Sequence, residues 1–236
     1  MIRVAIDGPA GVGKSSTSKA LARHFGFAYL DTGAMYRACA WWCMRQGIDL
    51  DAEQIDEQQV TETVGEFFTE GHFDISVDPA DPKVLADGED ISDAIRASEV
   101  SSHVSKVSNI IPVRHVLIAA QRAYIAREAA EDSFSGGAGV VAEGRDITTV
   151  VAPDAEVRVL LTAREEVRQA RRTGQAVKGV GGEDVAARDR ADSKVTSFLE
   201  AADGVITVDN SDMDFDETLA VLVRMVEDAI EEQEYE

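Results

Sequence analysis

Basic side chains are scarce in this chain of 236 residues, which carries 23 Lys and Arg against 44 Asp and Glu, a formal net charge of −21. The deficit argues against broad binding to nucleic acid or to anionic membranes, because both are held by basic surfaces. Any anionic ligand has to be held by local basic clusters inside a repulsive field. Part of the acidity is a solvated end, Glu227-Asp228 and the run from Glu231 to Glu236. Cysteine is nearly missing as well. Cys39 and Cys43 lie four residues apart in a helical pattern without a nearby histidine, which is neither a CxxC redox motif nor a zinc spacing. Two buried thiols and a cytoplasmic protein are expected. No apolar run approaches the roughly 20 residues of a membrane span. Met1-Ile2-Arg3 runs straight into a candidate core strand, which leaves no room for a signal peptide. Histidine is limited to His24, His72, His103 and His115, and none sits in a context that points to a general base. No internal repeat is visible.

What is present is ordinary globular material, 44% apolar and 28% charged, enough for one sizeable core with small appendages. The chain is organised around its first residues. Ile2, Val4 and Ile6 mark a short buried parallel strand. It runs into Gly8-Pro9-Ala10-Gly11-Val12-Gly13-Lys14-Ser15, followed by Ser16 and a helix-forming run to His24. The Gly, four residues, Gly-Lys-Ser spacing is the complete phosphate-loop pattern. Glycines let the backbone come close to a ligand, and successive N–H groups then face phosphate oxygens at a helix N-terminus. Lys14 supplies a cation for the outer phosphates, and the Ser15 hydroxyl is placed to ligate Mg²⁺. The alternative is a glycine-rich turn without function, which a full match between an apolar strand and a helical run disfavours.

Further along, Ser16 to Phe25 reads as a helix stopped by Gly26, and Phe27 to Leu30 as a second strand. Ala34 to Gln46 reads as a helix whose Trp41 and Trp42 are core anchors rather than a base-stacking platform. Glu53 to Glu70 is a further amphipathic helix. Phe73, Ile75 and Val77, then Val84-Leu85, then the Asp87-Gly88 turn before Ile91, form a small antiparallel meander. Ile95 to Val107 and Val113 to Ala130 read as helices separated by Pro112. Strands at Val140 to Ala142, Val157 to Leu161 and Val205 to Val208 follow, with a basic helix at Arg164 to Arg172 and a glycine-rich tip from Gly174 to Gly182. Beyond the tip come a charged helix, Glu183 to Lys194, and a closing helix, Phe215 to Glu232. Apolar strands alternating with helices predict an α/β fold with a doubly wound parallel sheet and right-handed crossovers.

Arg37, Arg114, Arg145, Arg164, Arg168, Arg171, Arg172, Arg188 and Arg190 stand out in so acidic a chain. Several follow strands, where α/β proteins bind ligands. Surface ion pairing is the competing reading, strongest for Arg164, Arg168 and Arg172 beside Glu165 and Glu166. Arg145, between Gly144 and Asp146 after a buried strand, favours function. Phosphoryl transfer asks for this mixture, because positioning and charge neutralisation dominate it. Arginines fit phosphate as planar forks, and a lid can bring several down together. An acceptor that is itself a phosphate needs no general base.

Taken in order, Gly8 to Ser16, Leu30-Asp31-Thr32-Gly33-Ala34-Met35-Tyr36-Arg37, Asp87-Gly88-Glu89-Asp90-Ile91, Val113-Arg114 with Gln121-Arg122, Glu143-Gly144-Arg145-Asp146, and Arg188-Asp189 with Asp192 resemble bacterial cytidylate kinases, a phosphate-loop nucleoside monophosphate kinase family. The resemblance covers essentially the whole chain. It implies one kinase domain, with a five-stranded parallel core over 1–33, 134–163 and 195–236, a nucleotide-binding insertion over about 34–133, and a short lid over about 164–194. It implies Mg²⁺-dependent transfer of the γ-phosphate of ATP to CMP and dCMP by a monomer. Arg37 and Arg145 would hold the acceptor phosphate, Ser105, Arg114 and Asp146 the cytosine, and Asp192 the sugar, with Thr32 also lining the acceptor site. Lys14, Arg145, Arg188 and Arg190 would stabilise the transferring group. The pairing edge of cytosine shows an amino donor beside two acceptors, which a carboxylate and an arginine complement. One departure is visible: Val195 stands where relatives usually carry an arginine, with Lys194 one step early. Two rival functions remain open on the residues. A kinase acting on a hydroxyl would use Asp31 or Asp7 as base. A nucleotide-gated switch usually needs a guanine-reading Asn-Lys-x-Asp, and no such tetrapeptide occurs.

Overall fold

The computed structural model describes residues 1–176 and 200–235. Strands β1 (Ile2–Asp7), β2 (Ala28–Asp31), β6 (Gly139–Gly144), β7 (Val157–Thr162) and β8 (Ile206–Asp209) form a five-stranded parallel sheet in the order β2-β6-β1-β7-β8. β1 is the middle strand, paired with β6 along one edge and β7 along the other, and both its faces are covered. Ile2, Val4 and Ile6 pack into one cluster with Leu21, Leu222 and Val226, whereas Ala5 faces the other cluster. The strand's two-residue period thus divides the core into two layers. Helices α1 (Lys14–Phe25) and α7 (Phe215–Glu234) close the first layer. α7 starts on a reciprocal cap in which Asp214 and Glu217 bond each other's backbone N–H.

The second layer is built by α2 (Thr32–Arg45), α3 (Glu57–Thr69), α4 (Ser98–Ser108) and α5 (Ile111–Arg127). It also holds the meander β3 (Phe73–Ile75), β4 (Val84–Ala86) and β5 (Glu89–Asp90), which is antiparallel throughout. Its β4–β5 turn has positive φ at both Asp87 (51°) and Gly88 (78°), the backbone of a tight hairpin. The Tyr29 N–H donates to the Val77 carbonyl at 2.8 Å, which ties the meander to the sheet edge at β2. Trp42 is buried and stacks on Phe67 at 4.5 Å, so it is a core anchor as the composition of its helix implied.

The structure corrects several boundaries. α3 begins at Glu57, not Glu53, because Asp56 caps it by accepting from the Gln59 N–H. Pro112 does not separate two helices. It sits in the first turn of α5, where a missing N–H costs nothing, and the chain breaks at Asn109 and Ile110 instead. β8 starts one residue later than expected, at Ile206. Gly174 lies inside α6 (Glu165–Ala176). Gln175 and Ala176 end that same helix, and the tip from residue 177 on and the helix expected over Glu183 to Lys194 lie outside the described residues. A wide helical turn at Ile147–Val151 was not anticipated.

Candidate active site

Three loops converge at the carboxyl ends of β1, β6 and β2, where an open parallel sheet binds ligands. The first is the phosphate loop. Gly8 must be glycine, since a Cβ there would lie 2.2 Å from the Leu161 carbonyl oxygen. Gly13 caps α1 without any side-chain hydrogen bond, so the first-turn N–H groups are presented as an anion site. The Lys14 ammonium folds back over the loop and donates to the carbonyls of Gly8 (2.7 Å) and Pro9 (3.2 Å).

The second loop follows β6. Arg145 donates to the same Gly8 carbonyl at 3.1 Å, which places its guanidinium beside Lys14 at the loop mouth. Asp146, next in sequence, turns the other way and forms a buried ion pair with Arg114 of α5. Burial pushes the Asp146 carboxyl above its ordinary range, and Arg114 pulls it back. Consecutive side chains therefore meet two different partners, Gly8 and Arg114. Ser105 is half-buried on α4, which packs against α5.

The third loop starts α2. Asp31 caps that helix by accepting from the Ala34 N–H at 2.8 Å, and its second oxygen pairs with Arg37 at 3.3 Å. The buried Thr32 hydroxyl donates to the Glu143 carbonyl at 2.7 Å, which joins this loop to β6. Gly144 makes that joint possible, because a Cβ there would fall 2.4 Å from the Thr32 oxygen.

Two residues of the site, Glu143 in its buried setting and Asn210, were not given a role from the sequence, and Asp7 was named only as the base of a rival hydroxyl kinase. Glu143 is buried and accepts from the Tyr29 hydroxyl at 2.8 Å. Burial and the neighbouring Asp31 raise its pKa, while Lys14 and hydrogen bonds from Ser15 and Tyr29 lower it. Asp7 is also buried and accepts from the Ile147 and Thr148 N–H groups at 2.9 and 2.8 Å, and from the Thr148 hydroxyl at 2.6 Å. Asn210, after β8, donates to the Val12 carbonyl at 2.9 Å. The bonds of Asp7 to backbone N–H groups speak against the base role offered for it, and its partners Ile147 and Thr148 lie too far along the chain to be read from the sequence.

The arginines divide. Arg164 pairs with Asp212 and Glu166 at the surface, as the ion-pair reading had it. Arg168 donates to the Ala10 carbonyl at 3.1 Å, and Arg171 to Val12 and to Asn210 at 3.3 and 2.9 Å, so α6 rests on the phosphate loop. Arg188, Arg190 and Asp192, with Lys194 and Val195, lie outside the described residues.

A phosphate loop heading the central strand, with a second arginine-bearing segment at the end of the next strand, defines a phosphate-loop protein of the nucleotide-kinase class. A family model described as Cytidylate kinase matches residues 4–228. The cytidylate kinase of Streptomyces griseus is 42% identical over 232 residues, covering 95% of this chain and 92% of the relative. That of Rhodococcus opacus is 43% identical over 232 residues, covering 94% and 93%. That of Cutibacterium acnes is 40% identical over 227 residues, covering 94% and 95%. The chain belongs to the cytidylate kinase family.

Proposed function

We propose that this chain transfers the γ-phosphate of ATP to CMP, and also to dCMP, giving ADP and the nucleoside diphosphate. The observation that carries the reading is the divergence of Arg145 and Asp146 from one strand end. Arg145 points at the phosphate loop and Asp146 at Arg114 in a buried ion pair. The acceptor phosphate then lies beside Lys14, held by Arg145 and by Arg37, with Thr32 lining the site. The cytosine lies against Asp146, Arg114 and Ser105. An arginine fork takes phosphate bidentately, and a carboxylate accepts from the cytosine amino group. The acceptor oxygen is already an anion near neutral pH, since the second phosphate pKa is about 6. No base is called for, and Asp7 and Asp31 are in any case engaged with backbone N–H groups.

ATP is seated by Gly8 to Ser16. The Ser15 hydroxyl, bonded to the buried Glu143 carboxylate, is an all-oxygen setting of the kind Mg²⁺ takes, with Ser15 and the phosphates as ligands. Bound there, the ion would neutralise charge on the β- and γ-phosphates. Arg188, Arg190 and Asp192 are proposed to act from the lid over about 164–194, and the insertion over about 34–133 to carry the acceptor. The reading extends to a monomeric cytoplasmic enzyme, supported for the compartment by two buried unpaired thiols. Among the described residues no helix is long and apolar enough to cross a membrane.

The test is a panel of nucleoside monophosphates and small alcohols assayed for ADP release with ATP and Mg²⁺. CMP and dCMP should be turned over well above the others. Faster turnover of an alcohol, or release of inorganic phosphate without an acceptor, refutes the reading.

A further inference from the structure

The segment that carries Arg145 and Asp146 is fixed at both ends by a single residue of another strand. On one side Asp7 is in register with Gly144, the last residue of β6, in the parallel ladder. On the other side the Asp7 carboxylate takes the N–H groups of Ile147 and Thr148 and the Thr148 hydroxyl. These two N–H groups open the wide turn at Ile147–Val151. Its own hydrogen bonds run from Val150 and Val151 to the Asp146 carbonyl (2.9 and 3.1 Å) and from Ala152 to the Ile147 carbonyl (2.8 Å). The first N–H groups of a turn have no acceptor within it, and buried N–H groups left unpaired are costly. Asp7 supplies that acceptor with both oxygens, and as a carboxylate it does so without presenting a donor.

We propose that Asp7 is a positioning residue for the acceptor nucleotide. Although it heads the phosphate loop that seats ATP, its carboxylate sets the path of Arg145 and Asp146 and so governs CMP binding. The proposal rests on the reading of Arg145 and Asp146 given above. Asp7→Asn is nearly isosteric but turns an amide donor toward one of two buried N–H groups, so the segment must shift. Small displacements of binding groups are expensive: about 1 Å can cost on the order of 10²-fold. The Asp7 charge also acts on Lys14. Thr148→Val is therefore the complementary variant, since it removes one hydrogen bond and leaves that charge in place.

Steady-state kinetics on the full chain with CMP and ATP varied separately, after a folding check by circular dichroism, provides the test. Asp7→Asn should raise KM for CMP by about tenfold or more and move KM for ATP by less than about twofold. Thr148→Val should raise KM for CMP by about threefold, again with KM for ATP unmoved. The double variant should fall short of the product of the two effects, as for residues in direct contact. Equal rises in both KM values, or a KM for CMP within about twofold of wild type in folded Asp7→Asn, overturns the proposal. If Asp7→Asn does not fold, Thr148→Val decides, and an unchanged KM for CMP overturns it. Arg145→Ala and Asp146→Asn run beside them. If those raise KM for CMP while the Asp7 and Thr148 variants do not, the acceptor-site reading stands and this proposal falls. If neither changes CMP binding, both fall together.

Discussion

Lys14 is the residue on which the chemistry bears most directly. Its ammonium reaches the Gly8 carbonyl at 2.7 Å, and the Arg145 guanidinium reaches the same oxygen at 3.1 Å, so two cations meet at the mouth of the phosphate loop, where the proposed function puts the transferring phosphate. Removing one preorganised donor from such a site costs a factor on the order of 10²–10³. Lys14→Ala should lower turnover by at least that lower figure, with an unchanged urea midpoint, because Lys14 is half-buried and belongs to neither core layer. Near-normal turnover in a folded variant would refute its role. Lys14 and the loop around it were legible because a phosphate loop is local: its function is written in eight consecutive residues. Arg145 and Asp146 were singled out by their place after a buried strand and by the family resemblance, but their separate partners, Gly8 and Arg114, show only in the fold. The roles of Glu143 and Tyr29 were not legible, and Asp7 was read only as a candidate base. Each acquires its meaning from a partner more than 100 residues away, as in the Tyr29–Glu143 bond with its separation of 114.

At the scale of elements, helices and strands were read well where hydrophobic period and capping agreed, and less well where they did not. Ile55 extended the apparent period of α3 backwards, but Asp56 closes the helix and overrides it. The turn at Ile147–Val151 has no period to read, for it exists because Asp7 accepts its N–H groups. The joint between β6 and α2 makes a prediction of its own. A methyl at position 144 would lie 2.4 Å from the Thr32 oxygen and 2.8 Å from the Ile147 side chain, so Gly144→Ala is overpacked. It should cost about 1–3 kcal/mol in urea unfolding; a loss of less than about 0.5 kcal/mol, the range of an ordinary surface substitution, would contradict the packing argument.

The meander offers a second test at this scale. His72 lies 2.6 Å from Asp87 and 3.4 Å from Glu70, and the hydrogen bond with Asp87 raises its pKa above the ordinary 6.5. A raised pKa means that the charged pair stabilises the fold fully below the unfolded value and loses that effect as pH rises through the folded value. The difference in Tm between wild type and His72→Gln should be greatest below pH 6.5 and shrink on the alkaline side of the titration, where only the stacking of the ring on Trp42 is left. It should also shrink in high salt, because the pair is exposed. A difference independent of pH would rule the ion pair out.

For the whole molecule, the acidity and the site belong together in one respect. With a net charge of −21, anionic substrates meet a repulsive field, and local cations must hold them. The described residues supply those cations from separate elements: Lys14 from α1, Arg37 from α2, Arg114 from α5, and Arg145 from the end of β6. What the fold adds is their approach to the carboxyl ends of neighbouring strands; in the proposed reading, phosphate is held on one side of the Arg145–Asp146 segment and the base is read on the other. Exchanging the Asp146 carboxylate for an amide keeps its shape but replaces an acceptor with a donor opposite the cytosine amino group. A charge-assisted hydrogen bond of this kind contributes about 1.5–3 kcal/mol. The most direct measurement is therefore kcat/KM for CMP and UMP in wild type, Asp146→Asn and Arg145→Ala. Asp146→Asn should narrow the CMP-to-UMP ratio by about ten- to a hundredfold, whereas Arg145→Ala should depress both substrates alike. An unchanged ratio in Asp146→Asn, with both substrates depressed by the same factor, would contradict the account.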